Sequence, residues 1–295
     1  MLTHMRRYFL FFVVNIGIVL TISLVLNLLG VSPYIEARGL NMESLAIYCL
    51  IWGMAGAFIS LAISRIMAKM MMGVKVIDPM TRDSELQWLV STTHDFAKAA
   101  GLRKMPEVGI YESPELNAFA TGPTKNRALV AVSTGLLRRM NRSEIEGVLA
   151  HEVSHISNGD MVTMTLIQGI MNAFVMFLAR LIAFALTQNM KDESRPMARM
   201  FITLGLEMVL AIVSAIVVAY FSRKREFRAD HGGAVLSGRE NMIAALRALK
   251  RNFQPLDPRG EALATLKIST RSSFAAFLAT HPPLEDRIRR LEQYH

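Results

Sequence analysis

The run IEGVLAHEVSHISNGD (residues 145–160) leads without a break into MVTMTLIQGIMNAFVMFLARLIAFAL (residues 161–186), so a polar stretch with two histidines abuts one apolar enough for lipid. His151 and His155 stand four apart. On a helix, residues at that spacing project side by side, and two imidazoles can reach one ion about 2.0–2.1 Å away. Glu152 emerges beside them, placed to hold and deprotonate a water but too close in sequence to be a comfortable third ligand. Ser143 and Glu146 have the spacing of a capping box at the start of this helix, and Asn158-Gly159 interrupts it. The plainer alternative is a histidine pair with a structural role.

The apolar run is one of four. Residues 8–29, 45–64, 161–186 and 200–221 are each roughly 20 residues or more, enough to cross about 30 Å of hydrocarbon at 1.5 Å per residue, which predicts four transmembrane helices. Composition agrees: 52% hydrophobic and 19% charged residues in a chain of 295, with a positive mean hydropathy, describe spans joined to soluble mass. The first run is too long for a signal-peptide core and lacks a small-residue cleavage pattern, so it reads as an uncleaved anchor.

Basic residues set the orientation. Arg6 and Arg7 precede the first span, Arg65, Lys69 and Lys75 follow the second, and Arg223, Lys224, Arg225 and Arg228 follow the fourth. Both termini, and the segment holding the histidines, are therefore expected in the cytoplasm. The net charge of +9 fits contact with anionic headgroups. The basic residues cluster beside spans with no recognition motif, which argues against a nucleic-acid partner. The single cysteine, Cys49, excludes an intramolecular disulfide and a multi-cysteine metal site. An Asn141-Arg142-Ser143 glycosylation match is discounted because the segment is expected in the cytosol.

Between the second and third spans, SELQWLVSTTHDFAKAAG (84–101) has helical periodicity with Gly101 as its stop. PEVGIYES (106–113), NAFATG (117–122) and LVAVSTG (129–135) are short strand-like runs between turn residues. The expected fold class is mainly α with a small β-sheet (α+β), divided as an N-terminal pair of spans (1–68), a soluble core with the histidine helix (69–160), a membrane hairpin (161–221) and a C-terminal soluble part (222–295).

A catalytic zinc needs a third protein ligand and one open position. FSRKREFRADHGG (221–233) offers Glu226 and Asp230, four apart on an expected helix. If the third and fourth spans form an antiparallel hairpin turning near residue 193, Glu226 returns level with residue 160, within reach of His155. Asp230 could then hydrogen-bond the outer nitrogen of a ligand histidine. Alternatively, both carboxylates merely balance the neighbouring arginines on a solvated face. The same registration brings Arg180 and Glu207 to nearly equal depth in adjacent spans, where unpaired charge is costly, and so predicts an ion pair.

Together, the paired amino-terminal spans, NAFATG, HEVSHISNGD, the span hairpin, REFRAD and THPPLEDRI resemble the HtpX membrane metalloprotease family, related to the CAAX prenyl proteases. The resemblance implies a zincin-like, glutamate-ligated endopeptidase of the cytoplasmic membrane, with one zinc ion per chain and its site facing the cytosol. Its substrates would be proteins, above all damaged or misfolded membrane proteins. Carried onto matching positions, His151, His155 and Glu226 would bind zinc, Glu152 would be the base and Asp230 would support a ligand. Asn117 would lie on the substrate-facing edge, and His281 and Arg287 would bind substrate or steady the tetrahedral intermediate. From the residues alone these last three read as a turn residue, a pre-proline loop residue and a helix charge. Two alternatives stay open: a non-enzymatic metal-binding membrane scaffold, which would not need Glu152, and a prenyl-protein protease. An intramembrane protease is disfavoured because the histidine helix is polar and precedes its span.

Overall fold

The computed structural model describes residues 42–253 and 281–293. Among these residues, three helices are long and apolar enough to cross a membrane: α1 (Met42–Met71), α5 (Asp160–Thr187) and α6 (Arg195–Ser237). The sequence predicts four, and the first of those, residues 8–29, lies outside the described residues. The described residues form two compact units, one of 42–59 and 165–218, the other of 60–164, 219–253 and 281–293.

In the membrane unit, Leu45, Cys49 and Met176 are buried together, with Tyr48, Trp52 and Phe177 packed around them. Arg180 on α5 donates from Nη1 to Glu207 Oε1 on α6 at 2.8 Å and to the Met176 carbonyl at 3.0 Å. Glu207 is buried, so removing either partner leaves the other charge in a low-dielectric interior without it. Arg180→Ala or Glu207→Ala alone is expected to cost about 3–5 kcal/mol, and the double variant less than the sum. Unfolding in mixed micelles measures the cycle; strict additivity would remove the direct pairing.

The second unit holds a four-stranded mixed sheet in the order β1-β2-β4-β3, from β1 (Lys75–Val76), β2 (Glu107–Tyr111), β3 (Ala118–Thr121) and β4 (Leu129–Ser133). The two-residue β1 is too short to show an alternation in the sequence. β2 and β4 run parallel, in register from Glu107↔Leu129 to Tyr111↔Ser133. β3 pairs antiparallel with β4 as an outer strand, from Ala118↔Val132 to Thr121↔Leu129. Every residue of β4 is buried, which explains its unbroken apolar run.

Helix α2 (Ser84–Ala99) starts at Asp83, whose side chain accepts from the Glu85 and Leu86 N–H groups, and ends before Gly101. A short α3 (Thr134–Arg139) leads into α4 (Arg142–Asn158), the histidine helix. Its apolar residues Ile145, Val148, Leu149, Val153 and Ile156 join one core with Leu89 and Val90 of α2 and Val130 and Val132 of β4. The capping box that opens α4 is Asn141 with Glu144, not Ser143 with Glu146: the Glu144 N–H donates to Asn141 Oδ1 and the Asn141 N–H to Glu144 Oε2, both at 3.0 Å. Asn caps as well as Ser, and the overlapping pattern starts two residues earlier. Glu146 instead accepts from Asn241 on α7 (Arg239–Phe253) at 3.0 Å. At the other end, Gly159 takes φ 71°, a left-handed conformation in which its N–H reaches the His155 and Ile156 carbonyls. That stop lets Asp160 open α5. α8 (Leu284–Gln293) buries Ile288 and Leu291 against Met242, Ile243 and Leu246 of α7.

Candidate metal centre

His151 and His155 lie on one face of α4, as their spacing requires. α6 is continuous across 43 residues. Glu226 and Asp230 therefore sit on the helix of the predicted fourth span, beyond its apolar part. Gly232 and Gly233 let α6 approach α4 closely there: a Cβ on Gly232 would meet Ser154 Oγ at 2.6 Å, and one on Gly233 the His151 backbone N at 3.2 Å.

Three ligand groups converge, offering one donor atom each within 4.8 Å of one another. His151 Nε2 and His155 Nε2 are 3.1 Å apart, Glu226 Oε1 is 3.4 Å from His155 Nε2, and Glu226 Oε2 is 3.6 Å from His151 Nε2. A tetrahedral ion with bonds of about 2.0–2.1 Å separates its ligand atoms by about 3.3 Å, so each of these separations is near that of a ligand pair in such a site. Each outer nitrogen has its own carboxylate: His151 Nδ1 lies 3.0 Å from Asp230 Oδ1, and His155 Nδ1 lies 2.7 Å from Asp160 Oδ2. With Nδ1–H donated outward, both Nε2 lone pairs point at the same spot. Glu226 Oε1 is buried and has no hydrogen-bond partner among the described residues, a defect that a cation would repair.

Charge tells the same story. Arg287 grips both oxygens of Asp230 at 2.6 and 2.7 Å, and Arg228 holds Asp160 Oδ1 at 2.6 Å. Each aspartate thus has its own arginine, whereas Arg225 and Arg287 stand off Glu226 at 3.5 and 3.7 Å. Burial opposes charge on every group here, yet His151, hydrogen-bonded to Asp230 and Glu226, is pushed up to about 9. His155 is raised by Asp160 and Glu226 against the same burial, and Glu226 is held well below the usual carboxylate range by the three histidines around it. The cluster favours positive charge, which a metal ion would supply.

Glu152 is not one of the three converging groups. Its Oε2 accepts from the Ala120 N–H on β3 at 2.7 Å, which fixes the carboxylate beside the outer strand. Asn117 precedes that strand; its carbonyl accepts from the Ser133 N–H at 2.9 Å and its N–H donates to Ser133 Oγ at 3.2 Å. His281 reaches Glu226 Oε2 from Nδ1 at 2.9 Å with most of its ring exposed. Arg287 is buried behind His151. The sequence assigns Asp160 and Arg228 no place at the metal site: Asn158-Gly159 reads as a helix interruption, and Arg228 as one of the basic residues that set orientation.

Residues 81–295 match Peptidase family M48. The chain belongs to that family. Relatives called "Protease HtpX homolog" span almost its whole length: the Thiobacillus denitrificans protein is 50% identical over 97% of this chain and 99% of its own, and the Bacillus subtilis protein 49% over the same shares. The Methylacidiphilum infernorum protein is 48% identical over 98% of each. Among solved structures, the crystal structure of S. mikatae Ste24p superposes with a TM-score of 0.58 at 17% identity, covering 90% of this chain and 65% of that one. At that identity the likeness shows a common fold. The M48 assignment, the converging His151, His155 and Glu226, and the long apolar helices together make this a membrane metalloprotease.

Proposed function

We propose that the chain is a zinc endopeptidase of the cytoplasmic membrane, with its site on the cytosolic side, that cuts damaged or misfolded membrane proteins. The observation that carries the zinc assignment is the nitrogen, nitrogen and carboxylate triangle, since a borderline-soft ion takes that donor set at tetrahedral spacing. The basic residues after the second and fourth hydrophobic runs support a cytosolic site.

His151, His155 and Glu226 would hold the ion, which supplies Lewis acidity toward the scissile carbonyl and toward a water. Glu152 would take the proton from the attacking water and return it to the leaving amine. The hydrogen bond from the Ala120 N–H supports this role by holding the Glu152 carboxylate at one position beside β3. Asp230 and Arg287 keep His151 in its ligating tautomer. His281, anchored on Glu226 and exposed on its other side, is placed to donate toward the developing oxyanion.

Because the Ala120 N–H points away from β4, the two-residue period of a strand turns the backbone of Ala118 the same way. An extended substrate can add along this edge through main-chain pairing, which grips without selecting strongly for sequence. Asn117 stands at the start of that edge.

Purified in detergent, the protein is expected to cleave an unstructured reporter, to lose cleavage on treatment with 1,10-phenanthroline and to regain it with zinc. Cleavage indifferent to the chelator would overturn the metallopeptidase reading. Bound zinc without cleavage would favour the scaffold.

A further inference from the structure

We propose that Asp160 and Arg228 form a clamp that positions His155 for the metal, so that the first residue of α5 and an arginine of α6 set the affinity of the site. The inference rests on the metallopeptidase reading and adds two positioning residues to it.

Asp160 is almost wholly buried, and each of its two oxygens faces a partner. Oδ2 faces His155 Nδ1 at 2.7 Å, and Oδ1 accepts from Arg228 Nη2 at 2.6 Å. Gly159, in its left-handed turn, swings the chain so that Asp160 comes under the imidazole only five residues after His155. Arg228 lies on the same helix as Glu226, half a turn further along. The links therefore close a ring: His155 faces Glu226 across the metal position, Glu226 shares a helix with Arg228, and Arg228 returns through Asp160 to His155. In such a ring, the tautomer and tilt of His155 depend on Asp160, and the rotamer of Asp160 depends on Arg228.

The two histidines are supported in parallel but unequally. Arg287, itself buried, grips Asp230 with two nitrogens. Arg228 uses one nitrogen, and its side chain is 55% exposed. The His151 support is sealed, whereas the His155 support has a solvent-facing end. Arg228 thus acts only through Asp160, and Asp160 acts independently of Asp230.

Carboxylates behind ligand histidines typically account for 10–100-fold in metal affinity. In Asp160→Asn the replacement keeps the volume, but its amide must turn either its NH2 toward Arg228 or its NH2 toward His155. Cobalt(II) affinity of the detergent-purified full chain, measured against a competing chelator, is expected to fall about 10–100-fold, with a changed d–d absorption spectrum. Arg228→Gln, altered at the exposed end where folding is little disturbed, is expected to cost several-fold, and Arg228→Lys to restore part of it. Combined with Asp160→Asn, Arg228→Gln is expected to add nothing further; combined with Asp230→Asn, Asp160→Asn is expected to multiply.

A clamp that merely braced the fold would lower Tm and leave cobalt affinity and spectrum unchanged in both single variants, which would overturn the proposal. So would a multiplicative Asp160→Asn/Arg228→Gln pair. Failure of the unaltered protein to bind cobalt would overturn the metal reading and this proposal with it. Cobalt binding by the unaltered protein with no change in Asp160→Asn would overturn this proposal alone.

Discussion

Glu152→Gln is expected to slow peptide hydrolysis by roughly 10²–10⁴ while leaving the metal in place, the range that a positioned proton acceptor contributes. The three converging atoms belong to His151, His155 and Glu226, so an amide at 152 removes no ligand. The amide oxygen can still accept the Ala120 N–H, which preserves the side chain's position beside β3. What it loses is the capacity to take a proton and give it back. Glu226→Gln has the opposite signature: it deletes the charge of the buried carboxylate that converges with the two histidines, which its arginines approach only to 3.5 and 3.7 Å, so metal content falls together with activity. Single-turnover cleavage and zinc per chain, measured on both variants, separate the roles. Full activity in Glu152→Gln would remove it as the base; loss of zinc there would make it a ligand or a structural support.

The histidine pair and Glu152 are legible in the sequence because the geometry that joins them is local: four residues on one helix fix the side-chain separation whatever the rest of the chain does. Glu226 is legible at longer range because two apolar runs of similar length imply a registered hairpin. Asp160 is not. Its partners are His155, across a helix stop whose direction depends on Gly159, and Arg228, which no periodicity relates to it. The Arg287 interaction is hidden for the same reason: on α8 it reads as one charge among several, and only the packing of α8 on α7 brings it to Asp230. The start of α4 illustrates a subtler failure, since two overlapping cap patterns compete and the sequence holds nothing that ranks them. In the sheet, the strand-like runs show that β2, β3 and β4 exist, but β4 pairing in parallel with β2 while β3 takes the outside is a tertiary choice. That choice puts the Ala120 N–H at an outer strand, where Glu152 meets it.

Metal affinity is expected to fall steeply as pH drops below about 9. Burial works against charge on His151, but Asp230 and Glu226 together hold its imidazolium up to about 9, so below that pH an incoming ion must displace a proton. Binding then weakens roughly tenfold per pH unit through His151 alone, and roughly a hundredfold per unit where His155, whose value is also raised, is protonated as well. Stability of the metal-free protein runs the other way. Its His151 proton contributes stability that is fully present below the unfolded value of 6.5 and is lost as pH rises through about 9, an effect on the order of 3 kcal/mol. Glu226, held well below the usual carboxylate range, stays charged across this window and adds no slope. The chelated protein should therefore melt at lower temperature at pH 9 than at pH 6.5, while stabilisation by a fixed free zinc concentration grows over the same interval, because stabilisation follows the ratio of ion to Kd. Thermal melts in detergent with buffered zinc would show the two curves separating as pH rises. A constant separation would mean that no histidine proton is exchanged for the ion, and the site would have to bind metal through groups other than His151 and His155.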